Sequence, residues 1–201
     1  MPQRRSSHDS IVSGDTLYVI GGWRMEGDAD SVWHDTYLTL DLNKAEATWQ
    51  SHPQPFKRRA LAVQTVGTKV YAIGGMTDDN ELSCAVSVLD TTTGSWSDGP
   101  VLPADKIGGF GFAAISQAGR LFASGLTGRL LELRGDAWVA VAKLAHPRYF
   151  HRLLSGGTGK LIAIGGENRE GDKPAPEVMV LPAADSAPLP DEPAKPAGKS
   201  S

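Results

Sequence analysis

Arginine side chains recur ahead of three similar apolar segments, two of them followed by a histidine, and these residue types suit the binding of an anion. The pattern Arg-x-x-His occurs at Arg5–His8 and again at Arg148–His151, and Arg58 stands at the matching place before a third segment. A guanidinium group presents a planar fork of N–H donors that fits a carboxylate or a phosphate. A histidine nearby adds a group for proton transfer. Our candidate ligand-binding residues are therefore Arg5, His8, Arg58, Arg148 and His151.

The apolar segments behind these residues are copies of one repeat. Leu17–Gly22 reads Leu-Tyr-Val-Ile-Gly-Gly, and the same pattern returns at Val70–Gly75 and Leu161–Gly166. A weaker copy with one glycine lies at Leu121–Gly125. The copies are roughly 40 to 53 residues apart, a spacing typical of propellers and solenoids.

Each copy is predicted to form four short strands separated by glycine-rich turns. The last strand of the first three copies carries a tryptophan, at Trp49, Trp96 and Trp138, whereas the pattern of the fourth copy stops at Leu181 without one. A four-stranded sheet of this kind must stack on its neighbours, because both of its faces would otherwise be exposed. We expect the tryptophans to fill the gap between neighbouring sheets.

The glycines at the end of the second strand are predicted to have a structural role. Without a Cβ atom, they let the backbone pass close to the next sheet. The residues in question are Gly21, Gly22, Gly74, Gly75, Gly125, Gly165 and Gly166.

The repeat resembles the Kelch repeat, in which an apolar-Tyr-apolar strand ends in Gly-Gly and is followed by Asp-x-x-Thr-x-x-Trp. Asp90, Thr93 and Trp96 carry the second part of this pattern. The resemblance covers about residues 5–181. It implies an all-β fold, a partial Kelch-type β-propeller of about four blades of four antiparallel strands, the last blade lacking its outer strand.

The predicted blades occupy about residues 5–57, 58–106, 107–147 and 148–181 within a domain of residues 1–181. Residues 182–201 are rich in Pro and Ala and have little to bury, so we predict a disordered tail.

Kelch propellers usually have six or seven blades, and this leaves three alternatives open. The chain is the C-terminal part of a larger propeller, or two partial rings pair as a homodimer that completes the ring, or a small or open ring stands alone. An open ring would leave a sheet face and a strand edge exposed, and such surfaces promote association.

In Kelch domains the residues just before the innermost strand lie at one mouth of the central channel. The resemblance therefore implies that Arg5, Arg58 and Arg148 converge there, with His8 and His151 beside them. The competing interpretation is that the arginines cap turns and pair with carboxylates between blades.

We predict a non-catalytic scaffold whose loops and channel mouth bind a protein or a small acidic ligand. The alternative is a carbohydrate-active Kelch propeller enzyme, similar to sialic-acid mutarotases or epimerases, in which His8 and His151 would join the acid–base chemistry. No carboxylate for that chemistry is identifiable from the sequence, and no cofactor is predicted.

Composition and residue spacing argue against nucleic-acid binding, membrane insertion, a metal site and an intramolecular disulfide. The net charge of −3 provides no field that would recruit nucleic acid or an anionic membrane. No apolar run is long enough to span a bilayer, and the histidines lack the close spacing of a metal site. A single cysteine, Cys84, excludes an intramolecular disulfide. The chain as given is assigned to the cytoplasm by default, although a missing N-terminus could carry a signal.

Overall fold

The computed structural model describes residues 1–27, 29–103 and 108–190, without the side chains of Ala29 and Asp30. Every regular element in these ranges is a β-strand, and no helix is long and apolar enough to cross a membrane. The predicted boundary between the second and third blades, at residues 106 and 107, lies outside the described residues, as do residues 191–201 of the predicted tail.

Four antiparallel sheets follow one another along the chain as propeller blades, which confirms the predicted fold class. Blade 1 contains β1 (Asp9–Ser13), β2 (Thr16–Ile20), β5 (Thr36–Asp41) and β6 (Gln50–Pro53). Blade 2 contains β8 (Ala62–Val66), β9 (Lys69–Ile73), β11 (Val86–Asp90) and β12 (Ser95–Asp98). Blade 3 contains β13 (Ala113–Gln117), β14 (Arg120–Ser124), β15 (Arg129–Arg134) and β16 (Ala137–Lys143). Blade 4 has three strands, β17 (Tyr149–Ser155), β18 (Lys160–Glu167) and β19 (Glu177–Val180).

Two small two-stranded sheets complete the described structure. The hairpin of β3 (Trp23–Glu26) and β4 (Ala29–Trp33) follows the first glycine pair. The strand β7 (Arg58–Arg59) pairs with β10 (Met76–Thr77), which follows the second glycine pair. Both additions therefore lie at the end of the blades where the second strands finish.

Neighbouring blades pack face to face; we call the face of a blade on the side of the next blade its leading face and the opposite face its trailing face. The alternation of side chains along a strand assigns residues to the two faces. Tyr18 and Ile20 on the leading face of blade 1 pack with Val63 and Ala72 on the trailing face of blade 2. Equivalent apolar clusters join blade 2 to blade 3 and blade 3 to blade 4. The hydrophobic core is thus divided into three junctions between neighbouring sheets.

The tryptophans occupy equivalent positions on the trailing faces. Trp138 is buried in the junction of blades 2 and 3, and its indole N–H donates to the carbonyl oxygen of Pro100 at 2.7 Å. Trp96 packs edge-on against Tyr37 and Phe56, with ring centroids 5.6 and 5.3 Å apart. Both therefore fill a gap between blades. Trp49, the equivalent residue of blade 1, is half-buried and belongs to none of the three clusters of described residues.

The first glycine of each of the first two pairs lies against the backbone of the next blade. A Cβ atom on Gly21 would be 2.6 Å from the carbonyl oxygen of Arg58, and one on Gly74 would be 2.3 Å from that of Gly109. Both glycines also have positive φ angles, +71° and +66°. Only glycine satisfies both conditions, because a side chain would collide and would also disfavour this backbone conformation.

The beginning of the predicted tail lies against blade 3. The chain turns back after β19, and the backbone N–H of Leu189 donates to the carbonyl oxygen of Ala140 on the outer strand β16. Arg120 and Arg134 both bind the carboxylate of the buried residue Glu132, and each also donates to a tail carbonyl oxygen, of Pro182 and Ser186 respectively. Residues 182–190 thus follow blade 3 instead of supplying blade 4 with a fourth strand. Disorder of residues 191–201 stays a prediction.

Replacing Gly74 by alanine should destabilise the protein more than the same change in a hairpin turn. Gly67 has a similar φ of +59°, but a Cβ atom added to it would have no described atom within 4 Å. Gly67→Ala therefore measures only the free-energy cost of placing a side chain at a positive φ angle. That cost is roughly 1 to 2 kcal/mol. Gly74→Ala should lose about 1 to 3 kcal/mol more, because the junction with blade 3 must open. Urea unfolding of the two variants measures the difference, and equal losses would contradict the importance of the close approach.

Candidate functional site

Four equivalent residues, three just before the innermost strands and Phe150 near the start of β17, form the rim of the central channel. Ser7, Ala60, Gly111 and Phe150 all have positive φ angles, between +51° and +66°. The backbone N–H of Ala60 donates to the oxygen of Ser7, that of Gly111 to Ala60, and that of Phe150 to Gly111, at 2.8, 3.2 and 2.8 Å. This chain of hydrogen bonds holds the four blades around one channel, and we call this end of the channel the mouth.

A pocket of about 190 Å³ lies at the mouth. Besides the rim, it is lined by the next two residues of blades 1 and 4, which are His8 and Asp9, and His151 and Arg152. Leu61 of blade 2 and Phe112 of blade 3 also line it, at the positions equivalent to the two histidines. The pocket thus brings together the two predicted histidines.

The predicted arginines do not point into this pocket. All three are buried, and each donates from Nη1 to the carbonyl oxygen of the first glycine of its own blade: Arg5 to Gly21, Arg58 to Gly74 and Arg148 to Gly165. Each guanidinium group also binds a carbonyl oxygen at the start of the third strand or just before it, on Thr36, Ala85 and Ala175 respectively.

These hydrogen bonds fasten the second strand of a blade to the third strand of the same blade. Burial lowers the pKa of both Arg5 and Arg58 to about 10, so their guanidinium groups remain charged at neutral pH. The competing interpretation is that these arginines pair with carboxylates between blades. Arg148 does form an ion pair, with Glu177 at 3.1 Å, but both residues belong to blade 4. Of the five predicted ligand-binding residues, His8 and His151 line the pocket and the three arginines do not. A ligand-binding role for these residues stays a prediction.

His151 is 3% exposed, and neither ring nitrogen has a hydrogen-bond partner among the described residues. Burial, and then the positive charge of Arg148, lower the pKa of His151 to about 4. Burial also lowers the pKa of His8, which is half-buried. Both imidazoles are therefore neutral at physiological pH.

An acidic and a basic side chain, which were not singled out from the sequence, face each other across the channel. Arg152 Nη1 of blade 4 lies 3.5 Å from Asp9 Oδ1 of blade 1. The second carboxylate oxygen of Asp9 accepts a hydrogen bond from the backbone N–H of Val63 in blade 2. Asp9 and Arg152 hold the same position in their strands, two residues after the rim. That periodicity is the signal from which the sequence could have placed them at the channel.

Arg59 lies among aromatic rings beside the mouth. Its guanidinium carbon is 4.3 Å from the ring centroid of Trp23, 5.6 Å from that of Trp33 and 6.0 Å from that of Phe110. Phe110 also packs edge-on against Phe150, with the centroids 5.0 Å apart. We call these five residues the mouth cluster. Its members come from the loops of blades 1, 2, 3 and 4.

The charge of Arg59 is not neutralised by an ion pair within the described structure. Its Nη2 atom contacts the sulfur of Met76 at 3.1 Å, and its buried Nε atom has no hydrogen-bond partner. Burial alone lowers the pKa of Arg59. The neighbouring Lys57, in contrast, pairs with Asp78 at 3.4 Å. Sequence analysis missed Arg59, because adjacent basic residues in a strand do not reveal which of them meets aromatic side chains from other blades.

Metal binding has no support in the described ranges, where no three His, Cys, Asp or Glu side chains lie close enough together to hold an ion.

Residues 57–102 match the family described as Kelch motif. The chain is 28% identical over 151 residues to Kelch domain-containing protein 3 of Bos taurus, covering 69% of this chain and 38% of that protein. It is 34% identical over 101 residues to tRNA wybutosine-synthesizing protein 2/3/4 of Arabidopsis thaliana, covering 48% of this chain and 9% of that protein. The chain therefore spans less than half of the length of these curated relatives.

The solved structure of YjhT has a similar fold. It superposes with a TM-score of 0.72 over 94% of this chain and 68% of that chain, at 13% sequence identity. The likeness supports the propeller architecture and, at this level of identity, nothing finer. That the chain is part of a larger propeller stays a prediction.

Replacing His151 by leucine, the residue at the equivalent position of blade 2, should reduce the pH dependence of stability. The folded chain binds a proton at His151 only near pH 4, whereas an unfolded histidine does so near 6.5. The unfolded state therefore binds more protons between these values, and the free energy of unfolding falls as the pH drops through this window. His151→Leu should remove on the order of 2 kcal/mol of that fall.

Chemical denaturation at pH 7 and at pH 4.5 measures this effect. The matched control is His146→Leu, which makes the same change at an exposed histidine outside the channel. An unchanged pH dependence in His151→Leu would show that this imidazole is not kept neutral by burial.

Proposed function

We propose that this chain, whose residues 57–102 match the Kelch motif and whose sheets follow one another as propeller blades, is a non-catalytic binding scaffold. Its loops and channel mouth bind a protein or a small ligand that carries acidic groups. The observation that carries the proposal is the mouth cluster, in which the unpaired cation of Arg59 is held between aromatic rings of the described structure.

Arg59 is prepared to receive a carboxylate. Ring contacts to Trp23 and Trp33 fix the position of its guanidinium group before any ligand arrives, so little side-chain freedom is lost on binding. A carboxylate would accept charge-assisted hydrogen bonds from the terminal N–H groups of this guanidinium fork. Arginine and tryptophan are the residue types that most often dominate binding energy in protein interfaces.

Exposed apolar side chains belong to the segments next to this cation. Met25 lies in β3, which also carries Trp23, and Phe150 on the rim packs against Phe110. Together with Arg59 they offer the mixture of apolar contact and a central charge that is typical of protein-binding surfaces. An acidic peptide with an apolar residue next to its carboxylate would match this surface better than a bare anion.

The buried arginines are a poor test of this function. Replacing Arg5, Arg58 or Arg148 would leave several carbonyl groups without donors inside a blade, so a loss of binding would be expected from unfolding alone. Arg59 is the better choice, because its guanidinium group contacts only the Met76 sulfur and aromatic rings within the described ranges.

Arg59→Gln should weaken the binding of acidic peptides by about tenfold or more, which is the loss expected when one charge-assisted hydrogen bond is removed. The probes are short synthetic peptides with Asp or Glu beside Leu or Phe, titrated by calorimetry at low salt, and citrate as a small polycarboxylate. The control is Lys69→Gln, which removes the same charge from an exposed position at the opposite end of the blades. Equal affinity of the two variants, or no binding of any probe by the unmodified protein, would count against the proposal.

A carbohydrate-active enzyme is the second candidate, and the mouth pocket gives it one specific argument. Asp9 supplies the carboxylate that was not identifiable from the sequence, and His8 and His151 line the same pocket as neutral imidazoles. An acid–base pair in a sugar-sized pocket is what an epimerase or a mutarotase requires.

Asp9→Asn should abolish any sugar isomerisation catalysed by the protein while leaving peptide binding at Arg59 intact. Nuclear magnetic resonance of sialic acid and of common aldoses, with and without the protein, measures the interconversion of their anomers. Turnover by the unmodified protein that is lost in Asp9→Asn would favour the enzyme over the scaffold, and the absence of turnover would remove the second candidate.

A further inference from the structure

Three arginine side chains of blade 3 bind the segment of chain that follows blade 4. Each guanidinium group donates to a backbone carbonyl oxygen of that segment, and the three accepting residues are spaced four apart. The bonds join Arg120 to Pro182, Arg134 to Ser186 and Arg129 to Pro190, at 2.9, 2.7 and 3.4 Å. We call Arg120, Arg129 and Arg134 the arginine surface, and residues 182–190 the strap.

The strap also pairs with the backbone of the outer strand of blade 3. The N–H group of Leu189 donates to the carbonyl oxygen of Ala140 on β16, at 2.7 Å. Within the described structure, β16 has β15 on one side and no further strand on the other. An edge strand of this kind can accept an extended peptide through backbone hydrogen bonds. The surface under the strap therefore combines a strand edge with side chains that hold a peptide at defined positions.

Blade 3 departs from the repeat where the strap lies. The strand registers place Glu132 at the position of Val88 in blade 2 and of Val178 in blade 4. Arg134, two residues further on, takes the position of Asp90 in blade 2. An apolar residue is thus replaced by an acidic one, and an acidic residue by a basic one. Together these changes give blade 3 a charged cluster in place of the usual residues of the repeat.

Glu132, Arg120 and Arg134 together carry one positive charge in excess. Glu132 is 3% exposed, and its carboxylate accepts hydrogen bonds from Arg120 at 2.6 and 2.9 Å and from Arg134 at 2.8 Å. Burial opposes the ionisation of Glu132, but the bonds from the two arginines outweigh it and lower its pKa, so the carboxylate is charged at neutral pH. One carboxylate therefore compensates one guanidinium group, and the strap meets the remaining charge with neutral carbonyl oxygens.

The strap itself makes few contacts that would hold it firmly. Seven of its nine residues are exposed, Leu189 among them at 38%. Its burial of apolar surface is therefore small. Hydrogen bonds to a carboxylate are also roughly twice as strong as those to a neutral carbonyl group. Because segments with few buried contacts open locally at a low free-energy cost, an acidic ligand can replace the strap.

We propose that the arginine surface and the outer edge of β16 form a binding site for an extended acidic segment of a partner protein, and that the strap occupies this site as an internal competitor. Carboxylates about four residues apart in the partner take the places of the three carbonyl oxygens of the strap. The tether gives the strap an effective concentration of about millimolar, so a partner segment needs these stronger acceptors to displace it.

This site is separate from the mouth cluster. Arg120 lies at the beginning of the second strand of its blade, whereas the mouth lies at the end of the blades where the second strands finish. The proposal therefore does not rest on the binding function of Arg59.

Fluorescence anisotropy with two labelled nonapeptides tests the proposal on the full chain. One peptide has the strap sequence with Glu in the places of Pro182, Ser186 and Pro190, and the other has Gln in the same places. Every protein sample carries Arg59→Gln, so that binding at the mouth cluster does not contribute. The Glu peptide should bind at low salt, and the Gln peptide should bind about tenfold more weakly, because it lacks the charged acceptors.

Substitutions in the arginine surface should weaken binding of the Glu peptide. Arg134→Gln should reduce its affinity by about tenfold, because a charge-assisted hydrogen bond is lost while Arg120 still neutralises Glu132. Arg129→Gln, at the other end of the strap, is a second variant that should reduce the affinity as well. The control Lys69→Gln removes the same charge from an exposed position of blade 2 and should leave the affinity unchanged. Circular dichroism checks that each variant is folded.

Leu189→Pro tests the competition between the strap and the peptide. Proline has no backbone N–H group, so this variant loses the hydrogen bond to Ala140 and the strap is held less well. The Glu peptide should therefore bind it about fivefold more tightly, which corresponds to one net hydrogen bond. The control is Leu189→Ala, which keeps the N–H donor and should change the affinity less.

Hydrogen exchange of the Leu189 amide, followed by nuclear magnetic resonance, measures displacement of the strap directly. The exchange should become faster when the Glu peptide is added, because the bond to Ala140 is broken. The proposal is wrong if the Glu peptide does not bind, if the Glu and Gln peptides bind equally, or if both arginine variants bind as well as Lys69→Gln. It is also wrong if the exchange of Leu189 is unchanged while the peptide is bound, since the peptide then occupies another surface. With Arg59 replaced throughout, these results are independent of the function proposed for the mouth cluster.

Discussion

The close approach of one blade's backbone to the glycine pair of the preceding blade is the constraint on which this structure depends. The N–H groups of Gly22 and Gly75 donate to the carbonyl oxygens of Arg58 and Gly109, at 2.8 and 2.9 Å. The first glycine of each pair lies directly against the same oxygen. The contact sets how near the innermost strands come to one another, and so it sets the width of the channel.

The buried arginine and the glycine pair form one structural device. Arg58 offers its carbonyl oxygen to blade 1, while its guanidinium group is anchored to Gly74 in its own blade. Motion of that side chain would therefore disturb two blades. This dual role explains why a residue type suited to ligand binding is used here inside the sheets, where each carbonyl group must have a donor. Side chains on the loops are not needed for these contacts between blades.

Much of the fold was predictable because it rests on local periodicity. Alternation of apolar side chains located the strands, and the repeated glycine pair located their ends. The position of Trp138 in a junction followed from the need of two splayed sheets for a large apolar residue. The path of residues 182–190 was not predictable in this way, since their attachment depends on Arg120, Arg134 and the buried Glu132, which come from another blade.

The candidate site was less accessible to sequence reasoning. The spacing of the repeat identified the segments that line the mouth, and it aligned His8 with His151. It could not tell a buried guanidinium group from an exposed one, because Arg58 and Arg59 are neighbours whose side chains leave the backbone in opposite directions. What the sequence alone determined was therefore the architecture, namely four related blades of which the fourth lacks an outer strand. Only the tertiary structure decided which basic residue holds a blade together and which one meets Trp23 and Phe110, because those contacts join residues from different blades.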